Sequence, residues 1–85
     1  MTLDPIIATV RDYIAREFLQ PDDRDSLTAS TPLVTGGILD SLASLNLVGF
    51  LEKQFGIKIQ PHEVNVDNLD TLTAIAALVK AKRGA

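Results

Sequence analysis

The placement of proline and glycine constrains this chain most. Pro21, Pro32, Gly36 and Gly37 crowd one connecting stretch, while Gly56 and Pro61 bracket another. Neither residue type sits comfortably inside a helix, so the chain is divided into a few apolar segments joined by breakers. The first segment opens at Asp4-Pro5, a capping residue followed by proline at the first helical position. Ile6, Val10, Ile14 and Phe18 then recur at helical spacing, with Arg11, Asp12, Arg16 and Glu17 between them, until Gln20-Pro21-Asp22-Asp23 ends the helix.

Residues 19–40 follow, a connection too long to be structureless inside a compact domain. Leu27, Leu33, Val34, Ile38 and Leu39 give it apolar anchors, so we read an ordered loop lying over a helical core, with a short helical turn near Asp25–Ala29. A second helix spans Ser41 to Phe55 and stops at Gly56, a favourable C-terminal residue. Ser44, Leu47, Val48, Leu51 and Phe55 share one of its faces, whereas Leu42, Leu45 and Gly49 project to nearly the opposite side. A helix apolar on two faces is either central or offers a greasy surface to something else. Ile57-Lys58-Ile59 reads as a brief extended segment stopped by Pro61, and Asn65 to Leu69 as a short helical turn. Thr71 or Asp70 caps a last helix whose buried stripe is Leu72, Ile75, Ala76 and Val79. The expected fold class is all-α: a small four-helix bundle of three main helices plus one short one, with a long first loop, forming a single domain over residues 1–85.

Composition narrows the function. With 85 residues and no cysteine, the domain depends on its apolar core, has no disulfide or thiolate metal site, and has no cysteine nucleophile. A net charge of −3 gives no footprint for nucleic acid. Lys80, Lys82 and Arg83 cluster where they complement the negative end of the last helix. No apolar run approaches the roughly 20 residues that span a bilayer, and no signal peptide is visible, so a cytoplasmic protein without membrane partners is expected. His62, the one histidine, reads as a solvated loop residue with no nucleophile or orienting acid around it in sequence. Asp22, Asp23 and Asp25 lack the glycine and closing glutamate of a calcium loop, and Gly36-Gly37 lacks the lysine and hydroxyl residue of a phosphate loop. Neither a metal site nor catalysis within the chain is expected.

Gly36-Gly37-Ile38-Leu39-Asp40-Ser41-Leu42 remains. At its plainest, Asp-Ser before an apolar helical pattern is a helix cap. Chemically, a phosphodiester on an exposed serine at a helix start would meet free backbone N–H groups and the positive end of the dipole. Asp40 beside it would repel a phosphate unless it helps place a metal ion or a modifying enzyme.

Residues 37–45, Gly-Ile-Leu-Asp-Ser-Leu-Ala-Ser-Leu, resemble the attachment motif of the acyl and peptidyl carrier proteins, whose core is Asp-Ser-Leu. Leu-Glu-Lys-Gln-Phe-Gly-Ile-Lys-Ile at 51–59 and Asn-Leu-Asp-Thr-Leu-Thr-Ala-Ile-Ala at 68–76 resemble later parts of the same family, in order and at matching spacing. The resemblance implies a carrier-protein bundle in which Ser41 bears a 4'-phosphopantetheine arm. A phosphopantetheinyl transferase would install the arm from coenzyme A using magnesium. Asp40 and Leu42 would belong to the surface which that transferase reads, and Leu42, Leu45, Asn46 and Gly49 to the partner-docking face. The arm would carry an acyl, aminoacyl or peptidyl thioester from a loading ligase or adenylation enzyme to downstream biosynthetic enzymes, with the carrier itself a non-catalytic monomer.

The second helix departs from fatty-acid carriers in lacking their acidic residues, since it reads Ala43, Ser44, Asn46 and Gly49, with Glu52 offset by Lys53. That brings it closer to stand-alone aminoacyl and peptidyl carriers. Two alternatives stay open at this point. One is a small helical protein-interaction domain in which Ser41 is only a helix N-cap; in the other, Leu42 and Leu45 pack beneath the long loop against Leu33 and Ile38.

Overall fold

The structure, a computed structural model, describes residues 4–84, the side chains of Arg24 and Asp25 excepted. Four α-helices are present: α1 (Pro5–Phe18), α2 (Ser41–Phe55), α3 (Val66–Leu69) and α4 (Leu72–Gly84), with no strand among the described residues. The all-α bundle with one short helix and a long first loop is therefore what the chain forms. None of these helices is long and apolar enough to cross a membrane.

Helix α1 begins where the Asp4 carboxylate accepts the Ile6 N–H at 2.9 Å, with Pro5 in the position that needs no donor. It buries Ile6, Val10, Ile14 and Ala15. Helix α4 packs along it and buries Leu72, Ile75, Ala76, Leu78 and Val79, while α2 lies against both. Thr71, not Asp70, caps α4, its hydroxyl accepting the Ala74 N–H at 3.0 Å. Helix α3 is a single turn packed on α4 and capped by Asn65, whose side chain accepts from the Asn68 N–H. Ile59, anchored by its N–H to the Glu52 carboxylate at 2.9 Å, closes the core after Gly56 ends α2 in the left-handed region at φ 65°.

Two sequence expectations are corrected here. The helical turn in the long connection is a 3₁₀ turn at Pro21–Ser26, earlier than residues 25–29. Pro21 stops α1 but suits the first position of a new turn, and Gln20 closes it by accepting the Asp23 N–H at 2.9 Å. Asp22 and Asp23 are exposed on that turn; the Asp25 side chain lies outside the described residues. The basic end of α4 does more than face its own carbonyls. Lys80 pairs with Asp4, and Lys82 lies 2.8 Å from Glu63, because a full carboxylate charge attracts an ammonium more strongly than a partial charge on a carbonyl does. Lys82 and the Gln60 N–H hold the Glu63 carboxyl below the usual carboxylate range, and Lys80, with the Ile6 N–H, does the same for Asp4.

The remainder of the long connection is ordered. Leu27, Leu33 and Leu39 are buried, with Val34 and Ile38 packed partly against the core. The Leu33 carbonyl accepts the N–H groups of both Ile38 and Leu39, folding residues 33–39 into a tight knot. Gly36 is obligatory in that knot, since a Cβ there would lie 2.2 Å from the Pro32 carbonyl oxygen.

Candidate functional site

The knot delivers the chain into α2 at Asp40. Asp40 is the N-cap: its carboxylate accepts the Ala43 N–H at 2.7 Å, and its carbonyl accepts the Ser44 N–H at 2.9 Å. Ser41 is the first residue inside the helix and is exposed. Among the described residues its hydroxyl has no hydrogen-bond partner. The reading of Ser41 as merely a cap is thus overturned by geometry. The Asp40 side chain accepts the N–H three residues on, whereas the equivalent donor for Ser41, the Ser44 N–H, is already bonded to the Asp40 carbonyl.

Beside Ser41 runs an open groove of about 520 Å³. Val34 and Leu39 of the knot form one side, with Asp40, Ser41, Ser44 and Leu45 of the α2 start; Val64, Asn65, Val66 and Leu69 form the other. Val66 is 45% exposed, a large apolar side chain left open to water at the start of α3. Leu42 and Leu45 are 68% and 62% exposed, so neither packs beneath the loop. Asn46 and Gly49 are exposed further along α2, one and two turns beyond Leu42 on the same stripe. Space around Gly49 is open: a Cβ there would touch nothing within 4 Å.

The opposite face of α2 buries Leu47, Val48 and Leu51 as its periodicity requires, and Ala43 with them. Ala43, which sequence named only among the residues standing in place of the acids of fatty-acid carriers, points inward, one turn before Leu47. Glu52 is likewise turned to use within the fold, its carboxylate bound to the Ile59 N–H. The outward face of α2 therefore presents leucine, asparagine and glycine.

Sequence reading missed the far wall of the groove and the residue that fastens it. Asp70 ends α3, its N–H bonded to the Val66 carbonyl at 2.9 Å. One oxygen of its carboxylate accepts the N–H groups of Val34 and Thr35, both at 2.9 Å. The Thr35 hydroxyl is 3.0 Å from the other oxygen, and the Asp70 carbonyl accepts the Leu33 N–H. The Thr35 N–H, the Thr35 hydroxyl and the Val34 N–H favour the anion and hold this carboxyl below its ordinary range. One signal was available: with Thr71 serving as the cap, an adjacent aspartate is surplus to capping. Its partners, 35 and 36 residues away, have no mark in the sequence. His62 is exposed and brings no second functional group to the groove.

A family pattern described as "Phosphopantetheine attachment site" matches residues 8–79. "Probable acyl carrier protein PigG" of a Serratia strain is 35% identical over 69 residues, which are 81% of this chain and 78% of that protein. "Lincomycin biosynthesis protein LmbN" of Streptomyces lincolnensis is 38% identical over 78 residues, covering 92% of this chain but 26% of its own length. The chain thus spans about a quarter of that second relative.

Proposed function

The chain belongs to the phosphopantetheine-attachment family of carrier proteins, whose cofactor is 4'-phosphopantetheine, and from that premise we propose that Ser41 is where this chain bears the arm. A carrier role in biosynthesis follows from the family; the attachment residue, docking face and type of cargo are our reading. The observation that supports Ser41 most is the division of labour at the start of α2. Asp40 supplies the cap, which leaves the neighbouring hydroxyl exposed and uncommitted at the mouth of an apolar groove.

These residues fit a phosphodiester. Ser41 opens a helix of 15 residues, where unpaired N–H groups and the positive dipole end accommodate negative charge without a basic side chain. The arm supplies a terminal thiol on which cargo is held as a thioester. The chain's own contribution is to position and to present. Asp40 fixes the first turn, so that Ser41 stands at a defined height above the groove. Leu42 and Leu45 offer apolar area to the transferase and to partner enzymes, with Asn46 and Gly49 continuing that face. Bond making and breaking on the cargo belong to those partners.

The outward face of α2 carries no acid, because Glu52 is engaged with Ile59. Docking by this face depends on apolar contact and is only weakly sensitive to salt, unlike charge-steered association. This favours an aminoacyl- or small-acid-type carrier served by an adenylating or ligating enzyme over a fatty-acid-type carrier. The test is peptide mapping after incubation with coenzyme A, magnesium and a broad-specificity phosphopantetheinyl transferase. The added mass falls on the peptide containing Ser41 if the reading is right; mass on another peptide, or on none, contradicts it.

A further inference from the structure

The groove beside Ser41 has walls from distant parts of the chain, and one side chain joins them. Val34 and Leu39 come from the knot before α2; Val66 and Leu69 come from α3. Asp70 continues rigidly from α3 through its N–H bond to Val66, and its carboxylate holds the N–H groups of Val34 and Thr35 together with the Thr35 hydroxyl. Its own carbonyl takes the Leu33 N–H at 2.6 Å. The knot is closed on itself by Leu33, Ile38 and Leu39, so fixing residues 33–35 fixes Leu39, the residue before Asp40.

We propose that Asp70 is a positioning residue for the reaction at Ser41: by fastening the loop 33–35 to the end of α3, it sets the two walls of the groove and the start of α2 as one rigid recognition surface. The claim rests on the carrier reading above. The carboxylate is not needed to cap α4, which Thr71 does, and its hydrogen bonds go to Val34 and Thr35, none to Ser41. Its effect on the modifying enzyme is therefore on the shape presented for binding. An enzyme that docks on this face meets a preformed surface in the native chain and must order a loop in the variant lacking the clasp, which weakens binding without altering the chemical step.

The experiment uses the full apo chain as the varied substrate of a broad-specificity phosphopantetheinyl transferase, with coenzyme A and magnesium saturating. Wild type, Asp70→Ala, Asp70→Asn and Thr35→Val are compared, and Val79→Ala serves as a core variant to be matched to them by melting temperature. Amide exchange at Leu33, Val34 and Thr35 is followed in parallel. Asp70→Ala should raise KM for the carrier on the order of tenfold with kcat within about twofold, as a displaced docking element does. Asp70→Asn, which keeps one acceptor oxygen, and Thr35→Val, which loses only the hydroxyl, should show smaller rises in the same parameter and would carry the test if the alanine variant did not fold. Unchanged KM across the folded variants despite faster exchange at Val34 and Thr35 would overturn the proposal. An equal rise in Val79→Ala at matched stability would do so too, by showing that general loosening suffices. A wild-type chain that accepts no arm would instead overturn the carrier reading and this inference together.

Discussion

The two halves of this small bundle are held by different forces. Where α1 meets α4, the contacts are mainly apolar, the Lys80–Asp4 pair at one end apart: Val10, Ile14, Ile75 and Val79 are completely buried. Where the long loop meets α3 and the start of α4, directional bonds do much of the holding. Asp70 grips residues 33–35, and the Ala29 carbonyl takes the Thr73 N–H and hydroxyl. Apolar packing supplies most of the stability but fixes shape loosely, since many side chains of similar volume fill a core. Hydrogen bonds add less energy but fix which backbone atom stands where. The half that presents Ser41 is the half whose shape is set by bonds.

This contrast can be broken by substitution. The largest loss of stability is expected in the packed core: Leu51→Ala should cost about 2–5 kcal/mol, as large-to-small changes at fully buried sites do. A denaturation midpoint unmoved by that change would mean that α2 does not bury the face assigned to it. Asp70→Ala should lower the melting temperature by less than Leu51→Ala, because it removes bonds at a half-exposed corner and leaves the core filled. A larger loss than Leu51→Ala would invert the division drawn here.

Acid sharpens the same distinction. Asp70, Asp4 and Glu63 titrate below their ordinary values in the fold, Asp70 through the groups of Thr35, Val34 and Leu33, Asp4 chiefly through Lys80 and Glu63 chiefly through Lys82. A carboxyl depressed in the folded state stabilises above its unfolded value, and that contribution is lost as pH falls through the folded value. For Asp70 the loss begins near the ordinary value of 3.8 and is complete only below the lowered value that the carboxyl has in the fold. Protection of the Val34 and Thr35 amides, taken relative to the intrinsic exchange rate at each pH, should therefore fall on acidification before protection of Val10 and Ile75 does. Simultaneous release would show that the clasp has no independent life.

Two changes on the exposed stripe of α2 should move stability less than a core change does, and neither should cost much of it. Leu42→Asp should shift the unfolding free energy by no more than about 0.5 kcal/mol, since the side chain is largely in water, yet impair arm transfer. Unfolding of that variant, or transfer at the native rate, would remove Leu42 from the docking face. Gly49→Ala should stabilise by about 0.5–1 kcal/mol by restricting the unfolded chain, as a Cβ there meets nothing. A destabilised Gly49→Ala would mean that the space is filled.

Local rules made most of the helical frame legible. Asp4-Pro5, Gly56 and the spacing of Leu47, Val48 and Leu51 each act within a turn or two of themselves, which is why their outcomes follow from sequence. The family resemblance singled out Ser41, but the identity of the cap did not follow from Asp-Ser, because both residue types cap helices and only backbone geometry chooses between them. Asp70 was legible only as a cap candidate. Its loop partners lie more than 30 residues away, and which acceptor a loop N–H finds depends on tertiary packing. Pro21 taught the opposite lesson: the rule that it breaks helices held, and the same ring began the next turn.

The most direct measurement is the intact mass of wild type, Ser41→Ala and Ser44→Ala after incubation with coenzyme A, magnesium and a broad-specificity phosphopantetheinyl transferase. Both serines line the groove, but only Ser41 is exposed in the first helical position after the Asp40 cap. The account predicts one added phosphopantetheine on wild type and on Ser44→Ala, and none on Ser41→Ala. An arm on Ser41→Ala, or an unmodified wild type beside a carrier that the same enzyme does modify, would contradict it.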